Sequence, residues 1–166
     1  MTEELILTEL CGRLWHTTHS DRFALILSSG AILPEPAVPN CDRWKTSQGE
    51  EYYPFVRTLG GVSLFDFDNF DPEIHSNSCP MSSWHEFVPY RKDWGHSVWI
   101  EIDREQVAPQ FISGPDLVTR WKSTDSYQHT IMPHIEAAHL GPVPRSAFKR
   151  AFLVRKGEKQ FRPLGI

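Results

Sequence analysis

Cysteine is scarce in this chain and badly placed for pairing. Cys11, Cys41 and Cys79 are odd in number, widely spaced and contain no C-x-x-C pair. That argues against a disulfide framework and fits a reducing compartment. Long apolar runs are missing as well, since no window approaches the roughly 20 residues that span a bilayer. The acidic start, Met1-Thr2-Glu3-Glu4-Leu5, lacks the basic stretch and apolar core of a secretory signal. A cytosolic protein with no membrane partner is the expectation. Positive charge is not in excess either. Lys and Arg number 17 against 21 Asp and Glu, a net charge of −4. Non-specific binding to a phosphate backbone is therefore disfavoured, leaving a local basic patch as the one route to it.

Several signatures of chemistry are absent. There is no glycine-rich phosphate loop, no Walker pattern and no nucleophile elbow. His134-Ile135-Glu136-Ala137-Ala138-His139 is not H-E-x-x-H, and its two histidines, five apart, face opposite sides of a strand. Asp66, Asp68, Asp71 and Glu73 lack the central glycine and closing glutamate of a calcium loop, so they read as a solvated acidic turn. No metal is expected. Internal repeats and low-complexity tracts are missing too.

What remains is globular. The chain has 166 residues, 40% apolar and 23% charged, with six tryptophans and ten phenylalanines. One domain over 1–166 with a single core is expected. A strand is predicted through Gly12-Arg13-Leu14-Trp15-His16-Thr17-Thr18. A helix follows, capped by Ser20, with Phe23, Ile26 and Leu27 on one face and Gly30 as its stop. Pro34, Pro36 and Pro39 then impose an extended connection.

A second strand is predicted at 61–67, buried on both faces, and a short helix where Ser83 and Glu86 form a capping pair. A third strand has Val98, Ile100 and Ile102 alternating with Trp99, Glu101 and Asp103. Residues 110–130 read as a long polar loop with one helical turn, and such loops are more often functional than idle. A strand at 134–139, a Pro-containing turn at 141–144, a helix near 146–150 and a strand at 152–154 close the chain. Strands interspersed with short helices argue α+β.

Two segments resemble the ADP-ribosyltransferase fold. Leu14-Trp15-His16-Thr17-Thr18-His19-Ser20-Asp21-Arg22-Phe23 and the helix through Ile26-Leu27-Ser28-Ser29-Gly30 are similar to its opening: an aromatic, a histidine, a hydroxyl residue, then a helix ending Ile-Leu-x-x-Gly. Pro133-His134-Ile135-Glu136-Ala137-Ala138-His139-Leu140-Gly141-Pro142-Val143-Pro144 resembles its closing strand and turn, and Val56-Arg57-Thr58-Leu59-Gly60-Gly61-Val62-Ser63-Leu64-Phe65-Asp66-Phe67 falls where its middle strand belongs. The matching pieces cover less than half of the chain. The resemblance implies a mixed, antiparallel split sheet and NAD as co-substrate.

It also implies roles. His16 would anchor the adenosine-side ribose and the backbone at Thr17 the nicotinamide amide. Phe65 or Phe67 would stack on the nicotinamide, with Ser63 a further candidate at that step. Glu136 would bond the other ribose and stabilise the cation that develops as nicotinamide leaves. Arg22 and Arg57 are candidates for the pyrophosphate. Each residue also has a structural alternative: His16 as a cap for the next helix, the phenylalanines as core, the arginines as surface charges. A carboxylate within Ile-Glu-Ala-Ala is expensive unless it has a partner or a task. His134 stands where arginine-modifying members carry a second glutamate, which leaves the acceptor, protein or nucleic acid, open. His134, with Trp121 in the 110–130 loop, is assigned to target recognition. Hydrolysis of NAD at the same site, or a nucleotide-binding module without turnover, are the alternative functions.

Overall fold

The computed structural model describes residues 3–79 and 84–166. Helix α1 (Glu3–Leu10) leads into strand β1 (Leu14–Thr18) and helix α2 (Ser20–Ser29). A two-residue strand β2 (Ala31–Ile32), the proline-rich connection and a short helix α3 (Phe55–Thr58) precede β3 (Gly61–Asp66). Helix α4 (Pro72–Ser78) separates it from β4 (His96–Ile102). Next come α5 (Arg104–Val107), β5 (Phe111–Ile112), α6 (Gly114–Ser123), β6 (Glu136–Leu140), β7 (Val143–Pro144), β8 (Phe148–Arg155) and β9 (Arg162–Leu164).

Among the described residues, seven strands form one sheet in the order β5-β6-β3-β1-β4-β8-β9, every pair antiparallel. β2 and β7 make a separate small ladder. Helices and an antiparallel sheet mixed along the chain are the predicted α+β class.

The sheet is buried on both faces, and the two faces differ in chemistry. Leu14, Leu64, Val98, Ile100 and Leu153 form an aliphatic side, closed by Phe23, Ile26 and Leu27 of α2. Trp15, Phe65, Phe67, Trp99 and Phe152 form an aromatic side, closed by Ile6 and Leu10 of α1 together with Trp84 and Phe87. Covering the second face requires α1, an element the sequence reading did not foresee. The Leu10 carbonyl at its end accepts the Trp15 indole N–H at 2.9 Å. For the same reason Trp99 and Glu101 of β4 are buried, and Glu101 is held by the guanidiniums of Arg150 and Arg13.

Local expectations met tertiary corrections. α2 is capped by His19, whose Nδ1 accepts the Asp21 N–H at 3.2 Å, rather than by Ser20. Gly30 ends it at φ 74°, the left-handed conformation that glycine adopts without strain. The 110–130 segment is not a long loop. Its middle is α6 (Gly114–Ser123), started by Ser113, whose Oγ accepts the Asp116 N–H, and packed through Leu117 and Val118. The helix expected near 146–150 is a 3-10 turn at Arg145–Ala147, after which β8 runs far longer than the expected 152–154. Pairing along β4 from His96 to Ile102 overrides the helical tendency of Ser146-Ala147-Phe148-Lys149-Arg150. Ser83 lies outside the described residues, and Trp84–Glu86 is a single 3-10 turn. No described helix is long and apolar enough to cross a membrane.

Candidate active site

The sheet comes apart at its centre. β1 pairs with β4 along its whole length, from Leu14 to Thr18, but with β3 only at Leu14↔Asp66 and Trp15↔Phe65. Beyond that point the two strands part, and a cavity of about 420 Å³ opens beside them. His16 stands at the parting. Its Nδ1 lies 3.0 Å from the Ser63 carbonyl, which can only accept, so Nδ1 carries the proton. Burial pushes the His16 pKa down to about 4, outweighing that hydrogen bond, so the ring is neutral near pH 7. Its Nε2 lone pair has no partner among the described residues, and the residue lines the cavity. A neutral imidazole fixed in this tautomer is an acceptor for a hydroxyl. Next to it, the Thr17 hydroxyl is buried in the same wall with no partner.

Glu136 opens β6 opposite Phe65. It is 1% exposed, and both carboxyl oxygens are engaged: Oε1 accepts the Ser63 hydroxyl at 2.5 Å and Oε2 the Met132 N–H at 3.0 Å. Burial raises its pKa to about 7 against the pull of those two donors. The carboxyl sits where it does because of a tight turn. The Glu136 N–H reaches back to the Met132 carbonyl at 3.0 Å, and His134 at the tip adopts φ 63°. That turn starts β6 at Glu136, two residues later than expected. Gly114, the first residue of α6, rests against it: a Cβ there would lie 2.9 Å from the His134 carbonyl oxygen and 3.2 Å from that of Glu136.

The cavity mouth is cationic. Arg22, Arg43, Arg57 and Arg91 all line it. Arg57 chelates Glu35 through Nε at 2.7 Å and Nη2 at 2.9 Å, bonds Asn40 at 3.1 Å and lies 3.7 Å from the Tyr53 ring centroid. Arg43 also pairs with Glu35. Burial alone would raise the Glu35 pKa, but the hydrogen bonds from Arg57 and Arg43 hold it below the usual carboxylate range. Arg22 donates to the Asp42 carbonyl at 2.6 Å and, with Arg91, flanks Trp94 at 5.5 Å and 5.0 Å. Burial lowers the Arg22 pKa, and Arg91 and Arg43 add to that against Asp42.

Seven of the residues singled out in the sequence therefore line one cavity: His16, Thr17, Arg22, Arg57, Ser63, Phe65 and Glu136. Three do not. Phe67 is fully buried among Trp99, Phe70 and Phe65, a core residue on the aromatic side. Trp121 is on α6, not on a recognition loop. It packs with Phe55, Val56 and Leu117 and donates its indole N–H to His129 at 2.9 Å. His134 is exposed at its turn and lines a second cavity with Asp66 and Arg104. Reasoning from sequence missed Arg43, Arg91 and Trp94. No motif marks them, since they come from irregular segments that only the folded chain brings beside Arg22.

No family model and no curated protein matches this chain. Among solved structures, a mutant of E. coli heat-labile enterotoxin is similar at a TM-score of 0.45 and 16% identity, over 92% of this chain and 75% of that one. A likeness at that level carries no argument about function.

Proposed function

We propose that this protein transfers ADP-ribose from NAD to a macromolecular acceptor, with Glu136 as the catalytic carboxylate. The observation that carries the reading is the Glu136–Ser63–His16 chain on the cavity floor, where a buried carboxyl and a neutral imidazole meet on one serine. Three residues that the family resemblance pairs with NAD are thus joined across three strands far apart in sequence.

The chemistry suits these groups. Cleaving the ribose–nicotinamide bond releases nicotinamide as a neutral molecule with the bonding electron pair, so no strong acid is needed. The demand is for positioning and for negative charge beside the developing oxocarbenium ion. Glu136 supplies that charge once ionised, and its raised pKa keeps it basic enough to bond a ribose hydroxyl. The Nε2 of His16 is an acceptor for a second hydroxyl. The orphaned Thr17 hydroxyl offers a donor to an amide. Phe65 presents a ring opposite Glu136, and the arginine mouth suits a pyrophosphate. A cavity of about 420 Å³ falls within the range of small-molecule sites.

The test is incubation with NAD labelled in the adenylate moiety, alongside Glu136→Gln. Label on a macromolecule with the wild type, lost in the variant, is the expected result. Label appearing only as free ADP-ribose would make the activity hydrolysis. No NAD consumption and no NAD-induced rise in melting temperature would refute the reading.

A further inference from the structure

The net charge of −4 conceals a segregation. Residues 1–144 carry ten Lys and Arg against twenty Asp and Glu, whereas residues 145–166 carry seven against one, Glu158. Of those seven, Arg150 is taken up by Glu9 and Glu101. Arg145, Lys149, Arg155, Lys156, Lys159 and Arg162 are exposed, and none of their side chains makes an ion pair or hydrogen bond among the described residues. Four of them lie on the hairpin formed by the end of β8 and by β9, the edge strand of the sheet.

This hairpin is stitched to the cavity mouth. Arg155 pairs with His96 in register, and the Lys156 N–H donates to the Gly95 carbonyl at 2.8 Å. Gly95 ends the 3-10 turn Lys92–Trp94, and Trp94 lines the cavity between Arg91 and Arg22. A cationic track therefore runs from the sheet edge through Lys92 to the cavity. Acids beside it are Glu158, Asp93, which Arg91 pairs with at 3.3 Å, and the exposed Asp21, next to His19 where that ring meets Trp94.

We infer that this face binds the phosphate backbone of a single-stranded nucleic acid and leads it to the cavity mouth as the acceptor. Unpaired cations strung along a strand edge suit a linear polyanion, whose binding gains from counterion release at each phosphate. A bilayer surface fits less well, because of the exposed large apolar side chains only Ile166 belongs to this segment. The acceptor role rests on the ADP-ribose reading. In it, a nucleophilic oxygen or nitrogen of the strand bonds the ribose C1′, nicotinamide leaves with the electron pair, and the nucleophile's proton passes to solvent. Binding itself does not depend on that reading.

The experiment measures binding without NAD, by fluorescence anisotropy of labelled single-stranded DNA and RNA of about 20 nucleotides, at about 50 and 200 mM salt. Wild type is expected to bind and to weaken steeply with salt. The triple reversal Lys156→Glu, Lys159→Glu, Arg162→Glu should weaken binding roughly tenfold or more and reduce the salt slope by about 2. The milder Lys156→Gln, Lys159→Gln pair should give an intermediate loss, which keeps the test valid if the reversal fails to fold. Absence of salt-dependent binding, binding unchanged in both variants, or capture by phosphatidylserine vesicles with oligonucleotides ignored would overturn the inference. Intact oligonucleotide binding with no NAD-induced thermal shift would overturn the NAD reading and leave this surface standing.

Discussion

Ser63 donates its hydroxyl to Glu136 while its own carbonyl receives the Nδ1 proton of His16, so one residue sets the state of both. Its hydroxyl is one of two donors that pull the Glu136 pKa down against burial. In Ser63→Ala that pull is gone, and the acid limb of the pH–rate profile for NAD consumption should move upward by about one unit. A profile that stays in place would detach Ser63 from the ionisation that matters.

Glu136→Gln should lower turnover about a hundredfold or more, as losing one electrostatic contact to a transition state typically does, and spare NAD affinity. Its stability should also respond to pH. The folded pKa of Glu136, about 7, lies above the ordinary value of 4.5. The folded form therefore keeps its proton more tightly than the unfolded one. The stability this gives is complete below pH 4.5 and lost as pH rises through about 7. Denaturation of both proteins at pH 4.5 and pH 8 should show the wild type losing on the order of 3 kcal/mol relative to the variant. Parallel curves would mean that the carboxyl is not buried as described.

His16 titrates with the opposite sign. Its folded pKa, about 4, is below the ordinary 6.5, so its contribution is complete above pH 6.5 and lost as pH falls through 4. His16→Gln should flatten acid unfolding in that window. His16→Ala should also abolish most of the rise in melting temperature that NAD produces. A full NAD shift in the alanine variant would leave the histidine with a structural role alone.

The strands that build the site were legible because their signals are local: Trp15 and Phe65 sit in short apolar runs, and Glu136 is conspicuous as a carboxylate among Ile135, Ala137 and Ala138. Choosing between Phe65 and Phe67 was beyond the sequence, because period-two alternation puts both on one face and only the packing of Phe70 and Trp99 seals the second. α1 went unseen because its task, closing the aromatic side over Trp15, is set by a strand that follows it. α6 was hidden by its polar face. Its signal was Ser113 with Asp116 three residues on and Pro115 in the first turn. Once helical, Trp121 becomes a packing residue.

Trp121→Ala should therefore destabilise the fold by about 2 kcal/mol, less than truncation of a fully buried aromatic, because the ring is only partly buried. NAD hydrolysis and acceptor modification should fall together as the folded population shrinks, measured beside a thermal melt. Loss of modification alone, with an unchanged melting temperature, would return Trp121 to a recognition role.

The contact of Gly114 with the turn before β6 gives α6 a second consequence. With a notional Cβ only 2.9 Å from the His134 carbonyl oxygen, the helix has no clearance there and acts as an end-stop for the backbone that carries Glu136. The height of the carboxyl over the cavity floor is thus gauged by a helix that contributes no side chain to the chemistry. Any change that slides α6 along its axis is read out as a displacement of the reacting group.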